Sequence, residues 1–211
     1  EVVLFHLRQL VERGEIPALP IYVDSPMALT ALRLYREAAR RGDHEIDPEV
    51  AALDDPFDAG QVVEIRDVEA SKGLADLRMP AIIVSASGMA TGGRVVHHLA
   101  RLLPHSRNTV ILVGFQAPGT RGRLLADGAE QVKMLGRYIR ARARVVDLGS
   151  FSVHADQREL VDWLHTATRP PEVVYLVHGE ETAAGTLRDV IAEDAPWTAV
   201  VAGHGERVRL D

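Results

Sequence analysis

The chain has 211 residues, of which 46% are hydrophobic and 26% charged, with a formal net charge of -6. That balance suits one large or two small globular domains with a sizeable core, and the acidic total confines any nucleic-acid contact to local basic patches. The absence of cysteine excludes disulfides, thiol nucleophiles and thiolate metal sites and fits a cytoplasmic protein, while no apolar run approaches the length needed to span a bilayer.

In chain order, EVVLFHLRQLVERG reads as an amphipathic helix, with Val2, Val3, Phe5, Leu7, Leu10 and Val11 as its apolar set. A chain that begins inside a helix, with neither a cap nor an initiator Met, is expected to be a piece of something longer. LPIYVDSP reads as a strand. Ser25 then serves as N-cap with Pro26 at the first helical position, and the helix MALTALRLYREAARR stops at Gly42. Residues 43–60 are acidic and carry Pro48 and Pro56, which predicts a loop or a short broken helix.

QVVEIR is a strand, DVEASKGLADL a short helix, AIIVSAS a buried strand, GMATGG a turn and RVVHHLARLLP a helix. NTVILVGF is the next buried strand, and extended, arginine-rich chain runs from Gln131 to Leu148. A helix from Asp156 to Thr166, a strand from Glu172 to Val177, a helix from Glu181 to Glu193 and a strand from Thr198 to Ala202 follow. The alternation of strand and helix predicts an α/β fold with a largely parallel sheet and helices on both faces.

Function in such sheets gathers at the carboxyl ends of strands, where three features lie. The loop SASGMATGG, Ser85 to Gly93, has small residues ahead of a helix N-terminus. It reads equally as a phosphate cradle and as a tight turn that needs glycine for geometry. It is neither a P-loop nor a nucleophile elbow. The loop GFQAPGTRGR, Gly114 to Arg123, brings two arginines. With RYIRARAR downstream, they form either a basic strip for a phosphate backbone or a row of solvated side chains.

The third feature is a pair of histidines. His154 precedes a helix, and His178 follows the strand VVYLV and is itself followed by Gly179, Glu180 and Glu181. A histidine so placed suits metal ligation or proton transfer, although a lone histidine is more often structural. The other seven read as surface or packing residues, and His97 and His98, adjacent on a helix, cannot both face one site. A zinc site needs three or more ligands. With no H-x-H-x-D-H, H-E-x-x-H or cysteine pair, the residues alone do not assemble a hydrolytic metal centre.

Five stretches occur in one order: VDSPMA (Val23 to Ala28), SASGMATGGRVVHHL (Ser85 to Leu99), VGFQAPGTRGRLL (Val113 to Leu125), SFSVHADQRELVDWL (Ser150 to Leu164) and VYLVHGEETAAGTLRDVI (Val174 to Ile191). Together they resemble the β-CASP branch of the metallo-β-lactamase superfamily, which includes RNA-processing nucleases. The resemblance implies a split architecture. Residues 1–146 would be the β-CASP domain, and 147–211 the C-terminal β-α-β-α-β portion of a metallo-β-lactamase domain. It implies RNA as partner, with no membrane, and a zinc-dependent ribonuclease with two ions in the parent protein. Exposed strands of the lid leave a homodimer open.

By the same resemblance His154 is the general acid near the scissile phosphate and His178 a zinc ligand. Ser85, Ser87, Gly88, Thr120 and Arg123 then lie along the RNA path. The remaining zinc motif of the family is absent from these residues, so this chain alone is expected to be inactive. Two alternatives stand beside it: a non-catalytic RNA-binding β-CASP module, and a zinc hydrolase of another phosphoester.

Overall fold

The computed structural model describes residues 1–151 and 154–209. Ser152 and Val153, within the sequence SFSVHADQ, and residues 210–211 lie outside the described set. The chain divides into two compact units, Glu1–Ser152 and Val153–Asp211.

In the first unit, α1 (Val2–Glu12) leads to β1 (Ile21–Val23), which pairs in parallel with β2 (Val62–Glu64) on one side and β3 (Ile82–Val84) on the other. Ser25 and Gly42 bound α2 (Pro26–Arg41) as the sequence predicts. The Ser25 side chain accepts the Ala28 N–H, and Gly42 ends the helix in the left-handed region with φ 62°. The acidic stretch 43–60 holds one short turn of helix, α3 (Pro48–Ala51), capped by Asp47. Leu4, Ile21, Val23, Leu32 and Phe57 close a core over this sheet.

A second core forms farther along the chain. After α4 (Val68–Gly73) and β3 come α5 (Arg94–Leu102), β4 (Thr109–Leu112) and α6 (Arg121–Ala126). Then β5 (Gln131–Met134) and β6 (Arg137–Arg140) form an antiparallel hairpin, and β7 (Arg144–Asp147) pairs in parallel with β4. Leu99, Leu103, Leu112, Leu125, Val132, Met134 and Ile139 make the cluster. The hairpin turns over two residues, Leu135 (φ 49°) and Gly136 (φ 78°), the doubly left-handed turn whose twist matches that of paired strands.

The fold is α/β with mostly parallel pairing, divided among four small sheets of described residues rather than one continuous sheet. Two strands read as buried differ in degree. β3 is half-buried throughout, and β4 buries Leu112 while Ile111 stands exposed, followed by exposed Val113 and Phe115. A two-stranded sheet packed on one side leaves its other face bare, and an apolar run of four to eight residues does not reveal how many sides are covered.

The second unit holds α7 (Gln157–Leu164), β8 (Val173–Leu176), α8 (Glu181–Asp194) and β9 (Thr198–Val201), with β8 and β9 parallel. Asp156 and Glu159 form a reciprocal capping box at the start of α7. At its other end His165 Nε2 donates to Asp194 Oδ2 over 2.5 Å and packs on Trp197.

Candidate functional site

Three parallel strands end together in the first unit, and a buried carboxylate fastens their ends. Asp24, one residue beyond β1, is fully buried. Its Oδ1 accepts from Arg94 Nη1 at 2.7 Å, and its Oδ2 accepts from Ser71 Oγ and His98 Nε2, each at 2.6 Å. Its backbone oxygen accepts from Ser85 Oγ at 2.8 Å. Arg94 also donates to the carbonyls of Ile65 and Arg66 beyond β2. Burial pushes the Asp24 carboxyl up, but the hydrogen bonds from Ser71, His98 and Arg94 together outweigh it and hold the group below its ordinary value. Sequence reading missed this network. Its available signal was the i, i+4 spacing of Arg94 and His98, which puts both on one side of α5; His97 is exposed while His98 is buried.

The two glycine-rich loops are clasped to each other. Gln116 is buried, and its Nε2 donates to Gly88 O at 3.3 Å and to Gly114 O at 3.0 Å. Gly122 N donates to Met89 O at 2.9 Å, and Arg121 Nη1 donates to Ala90 O and Thr91 O, each at 3.0 Å. Four successive carbonyls, 88 to 91, therefore face the second loop. The N–H groups of Met89, Thr91 and Gly92 have no acceptor among the described residues. Gly93 precedes helix α5 as its N-cap residue, without a side-chain cap and in a conformation (φ 76°) that glycine adopts readily.

The sequence-predicted residues fall on both units. Ser85, Ser87, Gly88, Thr120 and Arg123 lie on the clasped loops. The Ser85 hydroxyl is engaged by the Asp24 carbonyl, and the Ser87 hydroxyl bonds to that of Thr91 at 2.9 Å. Thr120 caps α6: it accepts from Arg123 N and donates to Ala117 O. Arg123 Nε donates to both carboxylate oxygens of Asp127, at 2.9 and 3.0 Å.

His154 and His178 belong to the second unit, and both are exposed. His178 stands two residues beyond β8 with φ 69°, in the left-handed region. A non-glycine residue held there costs roughly 1 kcal/mol, and such outliers gather at working sites. Replacing His178 by glycine is expected to leave stability unchanged or raise it by up to about 1 kcal/mol, read as a urea midpoint. A loss greater than that would show that the imidazole holds the fold.

Among the described residues, no three His, Asp or Glu side chains come together to hold a metal ion. His178 offers one donor, and a zinc site requires at least three. The residues in hand therefore do not form a zinc site by themselves. Among the described residues no helix is long and apolar enough to cross a membrane.

The family described as the Beta-Casp domain matches residues 2–125, more than half of the chain. The chain belongs to the β-CASP family. A second family, described as the Zn-dependent metallo-hydrolase RNA specificity domain, matches residues 138–202 of this β-CASP chain. Ribonuclease TTHA0252 of Thermus thermophilus is 38% identical over 177 residues, which are 84% of this chain and 40% of the relative. The RNase J-like protein of Methanocaldococcus jannaschii is 32% identical over 178 residues, again 84% and 40%. Transcription termination factor FttA of Methanosarcina mazei is 27% identical over 214 residues, 99% of this chain and 33% of the relative. The β-CASP chain thus spans less than half the length of each.

Proposed function

We propose that these residues are the RNA-facing part of a zinc-dependent ribonuclease that hydrolyses phosphodiesters. The observation that carries the reading is the order of the two families, β-CASP followed by the RNA specificity domain, across almost the whole chain. Its likeness to a named ribonuclease points the same way. Within it, residues 1–146 form the β-CASP portion and 147–211 the returning end of the metallo-β-lactamase domain.

The clasped loops are the RNA cradle. Carbonyls turned inward from 88 to 91 support this, because the N–H groups left over suit a phosphate oxygen. Ser85 and Thr120 act by fixing the loops, while Ser87 and Gly88 lie at the exposed edge. Arg123 reaches a phosphate by exchanging it for Asp127, an exposed pair one helical turn away whose hold is well under about 1 kcal/mol. His178 supplies one ligand to a centre of two zinc ions whose other ligands lie outside these residues. His154 gives its proton to the leaving oxygen, the general-acid role that an imidazole beside the scissile phosphate can fill. The outer edges of β2 and β3, which pair with no further strand among the described residues, are where a homodimer would form.

The purified 211-residue chain is expected to bind single-stranded RNA with steep salt dependence and to show negligible cleavage, with or without added zinc. Absence of salt-dependent binding would overturn the RNA reading. Robust cleavage by the chain, abolished by a chelator, would overturn the placement of the other ligands outside it. In a protein that joins this chain to a metal-binding half, His154→Ala is expected to lower turnover by roughly 100-fold or more at unchanged RNA affinity.

The second reading, an RNA-binding module that does not cut, is favoured by one observation: no three metal donors converge among the described residues. It describes the chain by itself. The nuclease reading describes the protein that supplies the remaining ligands.

A further inference from the structure

The basic strip is the one motif that the cradle does not absorb. Residues 128–146 hold five basic side chains and one acidic one, Glu130, against 19 basic and 29 acidic over the rest of the chain. Burial alternates from Tyr138 to Val145. Ile139 and Ala143 are buried and Ala141 and Val145 partly buried in the second core, while Tyr138, Arg140, Arg142 and Arg144 are exposed. On the hairpin Lys133 pairs across the strands with Tyr138, and Gln131 with Arg140, so these four share one face.

Arg137, Tyr138, Arg140 and Arg142 line a groove of about 440 Å³ floored by Ala100 and Pro104. Among the described residues none of these arginines makes an ion pair, although nine other arginines of the chain do. Cations left unpaired on an acidic protein keep their full charge for an external anion. Tyr138 is 67% exposed, which leaves its ring open for a base to stack on. The hairpin is also tied to the cradle, because Arg121 bonds the loop carbonyls of Ala90 and Thr91 through Nη1 and the β5 carbonyl of Lys133 through Nε, at 2.7 Å.

We propose that the hairpin face bearing Lys133, Tyr138, Arg140 and Arg142, with Arg137 at its turn, is a second RNA site that grips the backbone of single-stranded RNA and stacks a base on Tyr138. It rests on the RNA reading above and extends it, carrying the strand from the glycine-rich loops along the hairpin. Arginine forks match phosphate oxygens in pairs. A basic groove with one open ring is the arrangement that holds single strands without reading their sequence.

Fluorescence anisotropy of the 211-residue chain with a labelled oligouridine, taken across a salt series, tests it. Replacing Arg137, Arg140 and Arg142 together with alanine is expected to flatten the plot of log affinity against log salt by about 2, since each single-strand phosphate contact contributes about 0.7. Tyr138→Ala is expected to weaken binding about five-fold or more, and Tyr138→Phe to restore it. Arg13→Ala, on an exposed arginine of another element, controls for net charge. If the unaltered chain shows no salt-dependent binding, both the RNA reading and this site fall. If it binds and the triple variant keeps the same slope, the hairpin site falls and the RNA reading stands. If polyglutamate displaces the RNA and Tyr138→Ala binds RNA normally, the face belongs to an acidic protein and the proposal is overturned.

Discussion

Asp24→Ala is expected to lower the stability of the first unit by about 3 kcal/mol or more, read as a fall in urea midpoint at constant slope. The carboxylate is fully buried, and its loss leaves Arg94, His98 and Ser71 facing a gap. Arg94 keeps its carbonyl partners and is about a fifth exposed, which sets the figure at the low end of what breaking a buried ion pair costs. Asp24→Asn keeps the shape and removes the charge, so it should fall between. A loss below about 1 kcal/mol for the alanine variant would mean that the strand ends hold together without the carboxylate.

The same group sets an acid limit. Its folded-state pKa lies below the ordinary 3.8, so the stabilisation it contributes is fully present above that unfolded value. It is lost as pH falls through the folded one. Glu64, held low chiefly by its hydrogen bond from Arg66 despite partial burial, adds to the same trend with the same sign. The unaltered chain should therefore lose stability on acidification more steeply than Asp24→Ala, whose curve is flatter and lower.

Gly122→Ala should destabilise the clasp by about 1–3 kcal/mol, the usual range for forcing a group into filled space, and should weaken RNA binding with it. A Cβ there would stand 1.8 Å from Gln116 Oε1, 2.9 Å from Gln116 Cδ and 3.1 Å from the backbone carbon of Met89. Gln116 is buried and bonded to both loops, so it has nowhere close to go. The double variant Gln116→Ala/Gly122→Ala discriminates. Removing the amide makes room, so the double variant should be more stable than the two separate losses predict. Strict additivity would sink the account, because residues in contact are expected to couple.

What the sequence shows here follows how far each interaction reaches along the chain. Ser25, Pro26 and Gly42 announce the ends of α2 because a cap involves residues three or four apart. The five ordered motifs gave the family for a related reason, since each is a contiguous stretch. The Asp24 network joins residues 47, 70 and 74 positions apart, and no local pattern encodes such a meeting. Arg94 and His98 carried a hint in their spacing, but Asp24 looked like the end of an apolar strand. Ser85, Thr120 and Arg123 were legible as loop residues, yet their internal partners Asp24, Ala117 and Asp127 emerge only with the fold. The histidines were visible as residues at element ends, whereas the left-handed backbone of His178 was not.

The two-residue turn at Leu135 and Gly136 has a genetic consequence. Side chains alternate on the hairpin, so the turn and the apolar pattern together set Val132 and Ile139 in the core while Lys133 and Arg140 face water. A three-nucleotide insertion in the codons for that turn would force either a different, three-residue turn or a one-residue slip that sends cations inward and aliphatic groups out. Substitutions along the basic strip can accumulate singly with graded effect, but this locus has a fixed length. Variation among descendants of this gene should therefore spare the spacing of the hairpin long after it has changed the letters.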